Sequence, residues 1–341
     1  MKRNFSTRLL AWFERHGRHD LPWQHPREPY RVWLAEIMLQ QTRVATVIPY
    51  FQRFVAALPD VRALAEADED RVLSLWSGLG YYRRAHFMHQ AARRIVDHFG
   101  GGFPRDLHTL TVLPGIGRST AAAILAQSFG LRHAILDGNV KRVLARHLGI
   151  AGWPGEARVE NALWREAEIR TPQRRVADYT QAIMDLGATV CVRSAPLCGD
   201  CPLAADCVAL RDGRIAELPA PRPSRRIPAR DALLLVEHDT RGRVRLVKRA
   251  PTGVWPALWS LPEIECAPPQ SRRIAGFEHS FTHFRLRAEI CARDIGPAAD
   301  GVAESVPSML AGPDDVAAIA LPAPVRSRLV RFWENEEWRE P

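Results

Sequence analysis

Nowhere in the 341 residues does an apolar run last long enough to cross a bilayer, and no internal repeat or low-complexity tail interrupts the chain. The first residues, Met1-Lys-Arg-Asn-Phe-Ser-Thr-Arg8, lead into a short apolar patch that soon meets Glu14 and Arg15. A secretory leader and a membrane partner are therefore not expected, and a cytoplasmic location is. Cysteine is scarce, six residues in all, and in a reducing compartment these are not expected to pair as disulfides. Alternating β-branched residues are few before about position 210, which leaves little material for a sheet in that part. What remains is 46% hydrophobic and 25% charged, the balance of a folded globular chain rather than a disordered one. The length exceeds one comfortable core, so two or three domains are expected. No feature argues for self-association, and a monomer is the default.

The formal net charge is +9, from 47 basic and 38 acidic residues. The excess is uneven: residues 1–218 hold 29 basic against 22 acidic side chains, and the remainder 18 against 16. A basic first part suits a polyanionic partner, because Lys and Arg displace counterions from phosphates, although many basic proteins have no such partner.

From Phe5 to about Leu210 apolar residues recur at spacings of three and four, as in Val32, Leu34, Ile37 and Met38, and again in Ala121, Ile124 and Leu125. That period predicts helices, punctuated by Leu58-Pro-Asp60, Gly100-Gly-Gly102 and Pro114-Gly-Ile-Gly117. The first domain, residues 1–218, is predicted to be all-helical and built as two lobes. Residues 219–229 carry four prolines and three arginines with no apolar face, which predicts a stiff basic linker. Beyond it, Ala232–Glu237 and Arg243–Arg249 read as strands joined by a hairpin at 239–242, Phe284–Ile290 alternates cleanly, and Arg326 to Trp338 reads as a closing helix. The second domain, residues 230–341, is predicted to be a smaller α+β unit.

Four of the six cysteines, Cys191, Cys198, Cys201 and Cys207, fall within 17 residues with spacing C-x6-C-x2-C-x5-C. Four thiolates in one tight loop can enclose zinc or a cubane 4Fe-4S cluster. The single C-x2-C pair, where zinc ribbons use two, inclines the choice toward iron–sulfur. Upstream, Leu113-Pro-Gly-Ile-Gly-Arg-Ser-Thr-Ala121 joins two helical patterns. Gly115 and Gly117 would let the backbone approach a ligand closely, and the helix that follows presents free N–H groups suited to a phosphate. A third feature is Glu36, the lone carboxylate in the apolar stretch Val32-Trp-Leu-Ala-Glu-Ile-Met-Leu39. On an arbitrary amphipathic helix such a residue is a surface glutamate; held in an apolar setting it would have a raised pKa and could donate a proton near neutrality.

Together these motifs resemble the helix-hairpin-helix DNA glycosylases, the superfamily of endonuclease III and the MutY-type adenine glycosylases. The cysteine spacing resembles their iron–sulfur loop, which implies a structural 4Fe-4S cluster and places Arg193 in a loop that approaches DNA. The run Trp33–Thr42 is similar to the MutY signature, and this similarity implies that Glu36 is the essential acid and brings Gln41 and Thr42 to the DNA. Leu136-Asp-Gly-Asn-Val-Lys-Arg142 matches the stretch carrying the reaction-centre aspartate, which implies Asp137, with Asn139 steadying its loop. Bifunctional members carry lysine where this chain has Ser119, so little strand cleavage is expected; Lys141 is the nearest alternative amine and is read as a phosphate contact. The same resemblance assigns Gln181 to the adenine edge, and Leu21 and Trp23 to the pocket wall. It assigns Gln41, Tyr81 and the adjoining Leu79 to the base stack beside the lesion. His279-Ser-Phe-Thr-His-Phe284 resembles the loop of a Nudix-like domain that recognises oxidised guanine, through Phe281, Thr282 and His283, with Thr282 where serine is usual. Residues 253–278 offer Glu263, Glu265 and Glu278 but no adjacent Arg-Glu and Glu-Glu pattern, so pyrophosphatase activity is not expected. The resemblance implies a substrate of double-stranded DNA with adenine opposite 8-oxoguanine or guanine, the adenine being flipped out and removed by hydrolysis, and through DNA an association with the nucleoid. The rivals are a bifunctional pyrimidine glycosylase and a non-catalytic DNA-binding iron–sulfur protein.

Overall fold

The computed structural model describes residues 2–224, 227–296 and 306–334. Across them the chain forms two compact units, one of residues 1–66 with 87–224, the other of 67–86 with 225–341. The later boundary falls inside the Pro/Arg-rich stretch. The excursion at 67–86, by contrast, is not separated by composition from the helices on either side. Long-range bonds explain its grouping with the sheet: the Tyr82 hydroxyl donates to the Leu321 carbonyl at 3.0 Å, Arg326 Nη2 donates to Ser77 Oγ at 2.9 Å, and Lys248 pairs with Asp70 at 2.7 Å.

The helices run α1 (Lys2–His16), α2 (Pro29–Leu39), α3 (Val44–Ala57), α4 (Val61–Glu66), α5 (Glu69–Trp76), α6 (Arg83–Phe99), α7 (Leu107–Thr111), α8 (Arg118–Phe129), α9 (Gly138–Leu148), α10 (Ala157–Arg170), α11 (Val176–Asp185) and α12 (Val208–Arg211). In the first unit α8 is central: it packs on α2, α7 and α11, and every residue from Thr120 to Gln127 is buried. Such a helix has no face to show water along this stretch, which is why Ala121 to Ala126 are apolar without a break. A core of Phe5, Leu9, Phe13, Ala123, Leu144, Leu163 and Ile183 draws α1 back against α9, α10 and α11. Helix α11 continues into a π-helical turn, Leu186–Val190, that delivers the chain to Cys191. The first residues of the predicted linker stay with this unit: Ala220 N donates to Gly152 O at 3.2 Å, and Arg222 lies over the Trp153 ring.

Among its described residues the second unit is a seven-stranded mixed sheet with a closing helix, α13 (Ala323–Glu334). Its strands are β1 (Ala229–His238), β2 (Val244–Lys248), β3 (Trp259–Ser260), β4 (Glu263–Ile264), β5 (Arg272–Ser280), β6 (Arg285–Asp294) and β7 (Ser308–Ala311). The order is β3-β2-β1-β6-β5, with β4 also on β1 and β7 on β2. The hairpin expected at 239–242 is present, but it pairs β1 with β2 only at His238 and Val244. The long partner of β1 is β6, in parallel, from Ala229–Arg285 to His238–Asp294. Parallel pairing joins distant segments and leaves no local turn signal to read. The alternation in β6 does what its pattern dictates, with Leu286, Ala288 and Ile290 buried between exposed Arg285, Arg287 and Glu289.

Candidate active site

Glu36 comes from α2, whose Val32 to Ala35, Ile37 and Met38 are all buried. Its own side chain keeps a partly exposed edge, so it faces an opening rather than the sealed core. From α8, Gln127 donates through Nε2 to Glu36 Oε1 at 3.3 Å. Burial, and then the charge of Asp137, push the Glu36 carboxyl up to about 8, against a small opposing effect of Gln127. The cause is physical: a carboxylate there gives up water and meets a like charge, so it keeps its proton.

Asp137 is the N-cap of α9, and its Oδ1 accepts from Val140 N at 2.8 Å. Capping alone would explain an aspartate at this spot. Its second oxygen, however, accepts from Asn139 Nδ2 at 3.1 Å. Burial raises the Asp137 carboxyl, opposed by these hydrogen bonds and by the Arg142 guanidinium. Arg142 in turn donates to Asn139 Oδ1 at 2.9 Å and to the carbonyls of Gly187, at 2.5 Å, and Cys191, at 2.6 Å. Gly187 permits this close approach, since a Cβ there would stand 2.5 Å from Asn139 Cβ.

The hairpin before α8 uses its two glycines differently. Gly115 has φ of +74° and leaves no room for a Cβ against Phe87, at 2.9 Å. Gly117, the N-cap of α8, has an ordinary φ, and a Cβ on it would meet nothing. Close approach by a ligand is thus a use left to Gly117, whereas backbone conformation and packing already demand Gly115. Ser119 Oγ accepts from Leu136 N at 3.0 Å, so the position that would hold a lysine braces the residue beside Asp137. Lys141 is engaged elsewhere, paired with Glu160 at 2.6 Å.

Gln181 is buried on α11, which packs on α8, and its Nε2 donates to Asp185 at 2.7 Å. Leu21 and Trp23 are buried, with Trp23 edge-on to Phe51. Gln41 is exposed just past α2 at φ of +62°, followed by Thr42, whose N–H donates to Leu39 O. Tyr81 and Leu79 belong to the second unit. There Leu79 is buried, while Tyr81 is 52% exposed at φ of +49°, with the Arg84 guanidinium 5.4 Å from its ring. A large exposed aromatic on a left-handed backbone is rarely a packing residue. Also in the second unit, Phe281 to Phe284 form the tip between β5 and β6. Phe281 stacks on Phe284 at 4.6 Å and contacts Trp255 and His279, while Thr282 and His283 are exposed. Residues 253–278 form strands and turns with no helix among them.

The four cysteines line one small pocket together with Arg146, Val190, Pro196, Leu197 and Leu210. Among the described residues no carboxylate or amide side chain lines it. Among the described residues no three His, Cys, Asp or Glu side chains converge as they would on a single metal ion. Buried Arg146 fastens the loop, donating to the carbonyls of Val192, Arg193 and Leu218 at 2.7 to 2.9 Å and to Cys191 Sγ at 3.6 Å. Burial and neighbouring thiols raise Cys198, Cys201 and Cys207, the middle one to about 11.

Gln127, Arg142, Arg146, Arg18 and Asp185 were not singled out from sequence. Gln127 is signalled only as an amide inside an apolar helix, and Asp185 only by standing four residues from Gln181. Arg18 and Arg146 carry no local signal, since their acceptors are tens of residues away, and Arg142, though it reaches Asn139 locally, finds the Gly187 and Cys191 carbonyls only across the fold.

The HhH-GPD superfamily of base excision DNA repair proteins matches residues 34–168, and a NUDIX domain matches residues 232–330. An adenine DNA glycosylase of Buchnera aphidicola subsp. Acyrthosiphon pisum is 33% identical over 345 residues, covering 97% of this chain and 98% of its own. That of Mus musculus is 35% identical over 79% of this chain and 62% of its own. A solved thermostable thymine-DNA glycosylase is similar at a TM-score of 0.56 and 27% identity, over 62% of this chain and 97% of its own. The likeness to the Buchnera protein runs nearly end to end, through the helical part and the Nudix-like part alike. The chain belongs to the adenine DNA glycosylases, the MutY-type branch of the endonuclease III superfamily.

Proposed function

We propose that this protein acts as a monomer on double-stranded DNA, flips out adenine opposite 8-oxoguanine or guanine, and hydrolyses its glycosidic bond with little or no strand cleavage. The observation that carries the reading is the carboxyl pair: Glu36 is held protonated by burial, close enough to Asp137 to feel its charge. Two carboxyls in one pocket with unlike environments divide into an acid and an anion. Glu36 gives its proton to N7 of the adenine as the bond from C1′ to N9 breaks and its electron pair passes to the base. That assistance is worth about a hundred- to ten-thousand-fold in rate. Positive charge growing on the sugar is stabilised by the Asp137 carboxylate, oriented beforehand by Val140 N and Asn139. Water then adds to C1′, and its proton returns to the Glu36 carboxylate.

Flipping exposes a base whose glycosidic bond the duplex otherwise hides. Gln181, Leu21 and Trp23 take up the adenine. Gln41, Thr42, Tyr81 and Leu79 occupy the disturbed stack, Gly115 and Gly117 turn the hairpin to a phosphate, and Phe281, Thr282 and His283 read the opposite base. Ser119 offers no amine, and Lys141 is committed to Glu160, so the Schiff-base route lacks a nucleophile.

The four cysteines suit a 4Fe-4S cluster, because all four line one pocket and supply soft thiolate donors there. Bound there, the cluster would supply a covalent fastening for residues 191–207 rather than chemistry on the base.

Single-turnover reactions on duplexes with adenine opposite 8-oxoguanine, guanine, cytosine or thymine, each split before and after hot alkali, test the reading. Adenine loss opposite the first two, with breaks mainly after alkali, is the expected result. Breaks without alkali would revive Lys141 as a nucleophile, and no base loss would leave a DNA-binding protein.

A further inference from the structure

The Gln181 amide is held from one side. Its Nε2 donates at 2.7 Å to Asp185 Oδ1, one turn further along α11. Asp185 is fully buried and accepts three hydrogen bonds from Arg18: from Nε at 3.0 Å and Nη2 at 2.6 Å on Oδ1, and from the backbone N at 2.8 Å on Oδ2. Arg18 follows α1, which packs along α11. A carboxylate ringed in this way only accepts, so the Gln181 amide has to turn its NH2 toward Asp185 and its oxygen away. That oxygen is buried and makes no hydrogen bond among the described residues. Folded proteins seldom leave a buried acceptor unmatched unless something else supplies its donor.

We propose that the Arg18–Asp185 pair is a polarity lock for base selection, fixing Gln181 so that it offers an acceptor and thereby selects a purine with a 6-amino donor over one with a 6-oxo acceptor. The inference rests on the reading of Gln181 as the residue at the adenine edge. An unrestrained glutamine is two-faced: half a turn about its last torsion exchanges oxygen for NH2, and it would then serve a 6-oxo purine as well. With Asp185 in place the flip would set two oxygens against each other at hydrogen-bond distance. Arg18 and Asp185 do not touch the base; both are positioning residues, acting through Gln181. A site built around one hydrogen-bond polarity rejects the wrong analogue far more strongly than an apolar pocket can, because the mismatch leaves buried polar groups unpaired.

The test uses the full-length protein and two duplexes, with adenine or hypoxanthine opposite 8-oxoguanine. Single-turnover release is measured for the wild type and for Asp185→Asn, whose amide can accept or donate. The preference for adenine over hypoxanthine is compared between the two proteins, which cancels the differing reactivity of the bases. The expected result is a fall in that preference of about tenfold or more in Asp185→Asn. Loss of both activities with an unchanged preference would mean a structural role and overturn the proposal. Arg18→Lys, which leaves the carboxylate in place, should retain the preference; its collapse there would count against the lock. Should Asp185→Asn not fold, Gln181→Met decides, since it removes the acceptor and leaves the ion pair: a lost preference supports the proposal and a retained one overturns it. If the wild type releases no adenine at all, the adenine reading itself fails, a result separate from any of these.

Discussion

The two units handle the same side chain in opposite ways. In the helical unit Glu36 sits among buried residues of α2 with one weak amide partner, and its carboxyl keeps a proton up to about pH 8. In the sheet unit Glu278 and Glu289 stand on the outer positions of β5 and β6, about half exposed, facing Arg285, Arg287 and Arg273. Alternation along a strand gives a charged residue a place in water every second position, and an arginine opposite costs little. On α2, where Glu36 keeps only a partly exposed edge among buried neighbours, the charged form is held at an energetic cost. The difference is one of access to water: the carboxyl on α2 is left protonated, whereas those on β5 and β6 stay in water opposite arginines.

The comparison breaks most sharply at Glu36. Glu36→Gln should slow adenine release in single-turnover assays by about a hundredfold to ten-thousandfold or more, while binding of an adenine–8-oxoguanine duplex, followed by mobility shift, stays within a few-fold. The wild-type rate should be flat up to about pH 8 and fall above it, because Glu36 then loses the proton it must donate. It should also fall in acid as Asp137, raised by burial, takes a proton it must not have. A rate still rising past pH 9 would remove Glu36 from the acid role.

A second effect should be confined to the helical unit. For the proposed cluster, stripping iron with a chelator and a reductant is expected to raise amide hydrogen exchange across 186–214, leaving β1 and β6 protected. A site that binds only the native state stabilises only what it is part of. Equal loss in both units would show that the cluster is not a local fastening.

A smaller effect carries the sign of the buried acid. Folded Glu36 binds its proton more tightly than the unfolded chain does, so native stability declines as pH rises from about 4.5 to about 8. Glu36→Gln, which cannot ionise, should melt at nearly the wild-type temperature at pH 4.5 and above it at pH 9. Each kcal/mol recovered is worth about 2–4 °C in a domain of this size. Smallest of all, Glu289→Gln on the outer face of β6 should change stability by no more than about 0.5 kcal/mol in urea melts, and adenine release not at all.

The helices, the alternating strand at 285–290, the hairpin at 239–242 and the closing helix over 326–334 (the rest of its expected span, 335–338, lies outside the described residues) were legible because each follows from local period and turn chemistry. So were the candidate groups that stand out against their surroundings, such as Glu36 in an apolar run and four cysteines in one loop. The parallel pairing of β1 with β6 and the grouping of 67–86 with the sheet were not, since both depend on partners far along the chain. The same applies to the last link of the contacts from Asp137 through Asn139 and Arg142, the one to Cys191 O, and to the hold of Arg18 on Asp185 beside Gln181. Arg142 and Arg18 look like any other members of an arginine-rich composition until their acceptors are known.

Sequence by itself determined which elements form and which residue types are available for chemistry, because periodicity and side-chain identity are local properties. Only the tertiary structure decided their state. It buried Glu36 beside Asp137 and so kept its proton, and it set Gly115 against Phe87 while leaving Gly117 open. It also turned one face of the Gln181 amide away from Asp185. Desolvation, like-charge proximity and hydrogen-bond polarity belong to the space between elements, and no stretch of sequence contains that space.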